Sequence, residues 1–225
     1  LYALVDDFGP DGANHADVIR TIGADGSTIQ DESQPASVRI GNYSKQTPVN
    51  AVLGTTVYPN VNKQTRSSSQ EVASGSFEFR ITDSANTILE ENESPVTVTG
   101  GTFQSIYTFD NNTTDATSVT RSLIVADSFR LVADRALVKF VNGSNESVDL
   151  YILRPGQDLD EVAPILDNIG FAGQPDNESI ANNVEYVVRN SNNTETLARI
   201  SNAQQEGVSY TLVFDTENVL HLLTD

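Results

Sequence analysis

The chain repeats itself, and a repeat of roughly 90 residues restricts the fold more than any single motif, because each copy must close a hydrophobic core at that size. Residues 36–42 (ASVRIGN) are matched at an offset of 100 by residues 136–142 (ALVKFVN). Phe77–Phe79 followed by Asp83–Thr87 (DSANT) is matched at an offset of 107 by Val184–Tyr186 followed by Asn190–Thr194 (NSNNT). Tyr107 aligns with Tyr210, 103 residues on, and Ser122–Asp127 (SLIVAD) aligns with Leu220–Asp225 (LHLLTD). Apolar and polar side chains alternate with period two in these segments, and no stretch sustains a 3.6 period over three turns, so the repeats read as strands. The one helical candidate, around Asp158–Ala163, is stopped by Pro164. The expected fold is all-β: two tandem antiparallel β-sandwiches, Ig-like or transthyretin-like, over residues 36–127 and 136–225, with a junction at 128–135.

Residues 1–35 belong to neither copy. They read as a strand, Leu1, Tyr2, Ala3, Leu4 and Val5, followed by a Gly- and Asp-rich acidic linker. The strand resembles a unit's last strand, and three readings stand open. It adds to the sheet edge of its own domain, it pairs with a neighbouring subunit and links copies head to tail, or it is the tail of a preceding repeat.

Charge narrows the partners. With 31 acidic and 13 basic residues the formal charge is −18 and the sequence pI about 4.2, a balance that repels phosphate backbones and argues against nucleic acid. No stretch is long and apolar enough for a membrane helix. The start has neither Met nor a basic signal-peptide n-region and reads as trimmed. There is no Cys, which removes thiol nucleophiles and thiolate metal sites. Abundant Asn, Ser, Thr, Gly and Asp with little Lys suit an exported β-protein of short strands and polar turns. Eight Asn-X-Ser/Thr triplets, at Asn42, Asn92, Asn111, Asn112, Asn142, Asn145, Asn177 and Asn192, are candidate glycosylation acceptors, set against the plainer reading that Asn and Ser share turns.

Chemistry is sparse. The only imidazoles are His15 and His221, no Gly-X-Ser-X-Gly elbow or phosphate-cradling loop is present, and no catalytic residue is assigned. No cofactor is expected. The one cation considered is calcium, for which Asp7, Asp11, Asn14 and Asp17 offer oxygens within a short acidic stretch, with Asp158, Asp160 and Glu161 as a weaker set.

The run Ala136–Ile152 (ALVKFVNGSNESVDLYI), closing with Tyr210–Phe214 (YTLVF) and Leu222–Asp225 (LLTD), resembles the exported bacterial repeat known as domain-of-unknown-function family 4397. The second repeat fits along its length. The first departs from the pattern, with Val49-Asn50-Ala51-Val52 where the family has Val-Asp-Val-Tyr. The resemblance implies exported tandem β-sandwiches in an envelope or extracellular setting, and it implies no catalytic residues.

The expectation is therefore a non-enzymatic exported structural protein, a subunit of an extracellular filament or surface array, with itself as partner and Leu1 to Val5 as the contact. The alternative class is a cell-surface or periplasmic module that binds a glycan or cell-wall polymer, through Tyr43, Tyr58, Tyr151 or the loop at 154–175.

Overall fold

In the computed structural model the alternating segments become strands of two compact units, the first ending at Asp127 and the second running from residue 128 to residue 225. The structure describes residues 2–8, 14–21, 28–29, 34–91, 95–111, 119–127, 135–173, 176–180, 183–205 and 207–225, with the strands before residue 30 and that at 176–180 described by their backbone.

The N-terminal segment is not a lone strand with a linker. β1 (Tyr2–Phe8) pairs antiparallel with β2 (Asn14–Thr21), which pairs with β3 (Thr28–Ile29). The expectation of an acidic linker after Val5 is corrected on this point. The polar residues Asn14, His15 and Asp17 mask the strand in the sequence, yet Val5 stands opposite Val18 and Leu4 opposite Ile19 in the ladder. The stretch holding Asp7, Asn14 and Asp17 is thus divided between two paired strands rather than forming one loop.

The first sandwich follows. One sheet is ordered β14 (Thr120–Ala126), β13 (Phe103–Asp110), β4 (Ala36–Tyr43) and β7 (Thr65–Arg66), with β8 (Gln70–Val72) also paired to β4. The other is ordered β11 (Ile88–Glu91), β10 (Phe79–Asp83), β5 (Val49–Leu53) and β6 (Thr56–Val61). A two-stranded ribbon of β9 (Gly75–Phe77) and β12 (Val96–Val98) completes it. Val38, Ile40 and Ile106 from the first sheet meet Ala51, Phe79 and Ile81 from the second in one buried cluster. Each fully buried large apolar side chain there stabilises the unit by about 1.5–3 kcal/mol.

The second sandwich repeats that order. β18 (Asp176–Ile180), β15 (Arg135–Asn142), β21 (Ser209–Phe214) and β22 (Leu220–Thr224) form one sheet. β17 (Leu166–Ile169), β16 (Val148–Leu153), β19 (Asn183–Asn190) and β20 (Thr196–Ala203) form the other. The helical expectation reduces to one 3-10 turn, Leu159–Glu161, which Asp158 caps by accepting from the Asp160 N–H at 3.1 Å. Among the described residues each sandwich is antiparallel except for one parallel pair, β4 with β13 and β15 with β21. These central strands are buried on both faces, the usual condition for parallel pairing.

Register fixes the correspondence between the copies. Ile106 stands between Ile40 and Ile124, and Leu212 stands between Phe140 and Leu222, so the penultimate strands correspond at an offset of 106. The alignment of Tyr107 with Tyr210 is therefore three residues out, and an odd shift puts a side chain on the opposite face. Tyr210 lies in the core cluster with Leu212 and Phe214, whereas Tyr107 packs on the other face, its ring centroid 5.8 Å from that of Tyr43. The true counterpart of Tyr107 is Val213. Across the parallel ladder Tyr107 faces Gly41 and Val213 faces Val141, so one copy combines a large ring with no side chain and the other uses two medium ones. A Cβ on Gly41 would lie 2.5 Å from the Tyr107 ring.

Candidate functional site: a cleft at the end of a strand row

The longest connection in the second sandwich, between β16 and β17, is the segment that sets the site apart from the first copy. Val52 of the first copy is replaced by Tyr151, by the same register that matches Ala51 with Leu150. Tyr151 and Leu153 form a small buried cluster with Val187 and with Leu159 of the 3-10 turn, which holds the loop against the sheet. Arg189 fastens it further: its guanidinium donates to Asp160 Oδ1 at 2.6 Å and lies 5.6 Å from the centre of the Tyr151 ring. The Asp160 bond and charge raise the Arg189 pKa above the ordinary guanidinium value.

Where this loop leaves the sheet, a cleft of about 470 Å³ opens. Register builds it, because Leu153, Glu185 and Ser201 are neighbours across three strands and Val184 faces Asn202. Leu153, Pro155, Val184 and Ala203 supply apolar surface; Arg154, Gln157, Glu185, Ser201 and Asn202 supply hydrogen-bonding groups. The loop wall is a tight turn in which the Gln157 side chain accepts from the Arg154 N–H at 2.8 Å and Gly156 takes φ +85°, a conformation that favours glycine. The far wall is anchored as well: Gln204 donates to the Tyr186 hydroxyl and the Gln205 N–H donates to the Tyr210 hydroxyl at 3.1 Å. Glu185 is paired with Arg199 at 3.1 Å, whereas Arg154 is exposed and has no ion pair among the described residues.

A second cleft, about 440 Å³, lies at the opposite end of the same strands, lined by Asn145, Glu146, Asn193, Glu195 and Asn218 among others. It is almost wholly polar. Glu146 is engaged there, accepting from Asn190 Nδ2 at 2.7 Å.

The aromatic platforms expected from the sequence are absent from the surface. Tyr43 and Tyr58 are buried at 1% and 0% exposure and Tyr151 at 7%, so each is a packing residue; Tyr58 spends its hydroxyl on the Val38 carbonyl at 3.1 Å. Of the described residues in the loop at 154–175, Arg154–Gln157 line an open cleft.

The Asn-X-Ser triplets separate into two kinds. Asn42 Nδ2 donates to the Gln46 and Val61 carbonyls at 2.8 and 3.1 Å, while its Oδ1 accepts from the Ser44 N–H and hydroxyl at 3.1 and 2.8 Å. Asn142 repeats the arrangement, donating to the Glu146 and Ile169 carbonyls, both at 2.8 Å, and accepting from Ser144 N–H and hydroxyl at 2.9 and 2.8 Å. Both amides are fully buried, so in the folded protein neither Asn42 nor Asn142 is an acceptor for a glycan. The sequon there is a turn staple, with Ser at the third position because its hydroxyl closes the network. Asn145 and Asn192 are exposed on turns and Asn111 is half-buried. Asn177 lies in β18, and Asn92 and Asn112 lie outside the described residues.

The other expectations fall as follows. Asp7 lies in β1 and Asn14 and Asp17 in β2, with Asp17 facing Asp6 and Asn14 facing Phe8; Asp11 and Leu1 lie outside the described residues. Tyr2, Ala3, Leu4 and Val5 are paired within the chain, to Thr21, Arg20, Ile19 and Val18. The weaker calcium set is committed elsewhere, Asp158 to its cap and Asp160 to Arg189, and among the described residues no group of three metal-ligating side chains converges. His15 stands in β2; the His221 ring nitrogen is 2.8 Å from the buried Asp215 carboxylate, whose other oxygen accepts from the Glu217 and Val219 N–H groups.

Sequence alone missed a buried carboxylate that joins the two sheets of the first sandwich. Glu90 on β11 accepts from the Ser122 N–H at 2.7 Å, the Ser122 hydroxyl at 2.8 Å and the Thr120 hydroxyl at 3.2 Å, all on β14. Burial pushes its pKa up, against the pull of those bonds. The register equivalents in the second copy are Ala198 and Leu220, which fill the place with apolar surface.

No family model matches the chain, and no curated protein does. Among solved structures it is similar to the C-terminal domain of AlgF from P. aeruginosa, at 21% identity over 41% of this chain and 98% of that one, with a TM-score of 0.29. It is similar to a family 41 carbohydrate-binding module from streptococcal virulence factors that recognises alpha-glucan, at 10% identity over 83% of this chain and 96% of that one, TM-score 0.30. It is also similar to a family 26 carbohydrate-binding module of Eubacterium rectale Amy13K, solved with maltoheptaose, at 11% identity over 84% and 97%, TM-score 0.28.

Proposed function

We propose that the chain is a non-catalytic module of a cell-surface or periplasmic protein and that the Arg154–Gln157 cleft of its second sandwich binds a glycan. The observation that carries this reading is the cleft's mixed lining on a rigid frame. A sugar ring presents apolar C–H faces and a rim of hydroxyls, and Leu153, Pro155 and Ala203 suit the first while Gln157, Ser201 and Asn202 suit the second. With no aromatic side chain lining the cleft among the described residues, affinity rests on hydrogen bonds exchanged with water, and a Kd between about 10 μM and 1 mM is expected.

The non-catalytic reading is supported by how the titratable groups are spent: His221 on Asp215, and Glu185 on Arg199. The external setting rests on the composition and on the resemblance to the exported repeat. A glycan array probed with the full chain tests the proposal. Binding to a defined set of glycans, lost in the double variant Gln157→Ala/Asn202→Ala at unchanged stability, is the expected result; an array with no signal overturns it.

Self-association is the second reading, favoured by one observation: β1 is the edge of its sheet, with a partner strand on one side. Deleting residues 1–8 and comparing the concentration dependence of mass by light scattering tests it. An unchanged mass profile removes it.

A further inference from the structure

We infer that the cleft's ligand is an oligosaccharide bearing a single carboxylate, held by Arg154; this rests on the glycan reading of the same cleft. In a chain of net charge −18 a cation in a binding cleft is uncommon, and several of the cations among the described residues are held in ion pairs. Arg199 is 3.1 Å from Glu185, Arg189 is 2.6 Å from Asp160, and Arg39 is 3.1 Å from Asp127. Arg154 differs. Its backbone is fixed by the turn to Gln157, its side chain is exposed in the cleft, and no carboxylate among the described residues pairs with it. Among the described residues the one carboxylate lining that cleft, Glu185, is already paired with Arg199, so Arg154 is the charge in the lining that has no ion-pair partner there, while the molecule as a whole is acidic.

A guanidinium presents two parallel N–H donors that match a carboxylate, which makes the class of ligand specific: a uronate or another carboxylated sugar. The global charge then sets the number of carboxylates. A long polyuronate would bring many charges against the −18 surface, whereas one carboxylate seated on Arg154 meets mainly the local cation, the remainder being screened within about 8 Å at physiological salt.

The test is calorimetric titration of the full chain with xylotriose carrying one glucuronate, against neutral xylotetraose of the same size. At low salt the acidic oligosaccharide should bind roughly tenfold more tightly, and the advantage should shrink severalfold at 0.5 M NaCl. Arg154→Ala should erase the difference and Arg154→Lys should keep part of it; both leave an exposed position, and an unchanged denaturation midpoint checks folding. Equal affinity for the two oligosaccharides, or a preference that survives Arg154→Ala, overturns the carboxylate inference while leaving glycan binding intact. No binding of either, with an array that also gives no signal, overturns both.

Discussion

Replacing Asn142 by Ala perturbs the second sandwich at a point where the structure allows its cost to be worked out. The side chain makes four hydrogen bonds, two donated to the Glu146 and Ile169 carbonyls and two accepted from Ser144, and it is fully buried. A net hydrogen bond contributes about 0.5–1.5 kcal/mol, and a buried polar group left without a partner costs about 1–3 kcal/mol. Ser144 can rotate its hydroxyl toward the Glu146 carbonyl, 3.4 Å away, so part of the loss is recovered, but the Ile169 carbonyl cannot be reached that way. The expected destabilisation is about 3–4 kcal/mol, a large share of the roughly 5–15 kcal/mol that holds a domain folded. Urea denaturation followed by tyrosine fluorescence and near-UV circular dichroism measures it. Asn145→Ala, three residues on at an exposed position, serves as the matched control and should change stability by less than about 0.5 kcal/mol. A cost for Asn142→Ala below about 1 kcal/mol would refute the staple, and a glycan mapped to Asn142 in the folded protein would refute it equally.

Other expectations follow from the same geometry. Gly41→Val should destabilise the first sandwich by about 1–3 kcal/mol through collision with the Tyr107 ring, and adding Tyr107→Val should recover part of the loss, since Val141 and Val213 make that pair in the second copy; denaturation midpoints of the single and double variants decide it. Glu90, with its folded pKa raised above the ordinary 4.5, contributes stability that is fully present below that value and is lost as pH rises through the folded pKa. Glu90→Gln should therefore flatten the stability profile of the first sandwich just above pH 4.5, and an unchanged slope would contradict the assignment. Arg189→Ala should loosen the loop around residues 154–162, seen as faster amide exchange at Leu159 and Val162 with little change at Val141, because it removes both the Asp160 bond and the contact with Tyr151.

The sequence made the strands legible because a sandwich core imposes period two on whatever residues build it, and the copies kept that period while exchanging almost every side chain. It made the turn motif visible as well, but in the wrong role: Asn42-X-Ser44 and Asn142-X-Ser144 have the spelling of a glycosylation acceptor, and only burial distinguishes a staple from an acceptor. Matching Tyr107 to Tyr210 failed because identity of residue type is a weaker guide than ladder register, and Gly41 against Val141 was the compensating clue. β2 was hidden because Asn14, His15 and Asp17 occupy positions in a strand of modest apolar content. Of the cleft, the sequence marks the loop wall, since Arg154–Gln157 falls within the connection at 154–175. The remaining residues come from the ends of β16, β19 and β20, tens of positions apart, and are brought side by side by strand pairing.

The central claim, that this cleft is where a glycan sits, is tested most directly by titrating the isotopically labelled chain with xylotriose bearing one glucuronate and following its amide resonances. The account predicts progressive shifts confined to Arg154, Gly156, Gln157, Glu185, Ser201 and Asn202. Shifts at Asn145, Asn193 and Asn218 instead, or a spectrum that changes neither with this ligand nor with any glycan positive on the array, each at millimolar concentration, would contradict it.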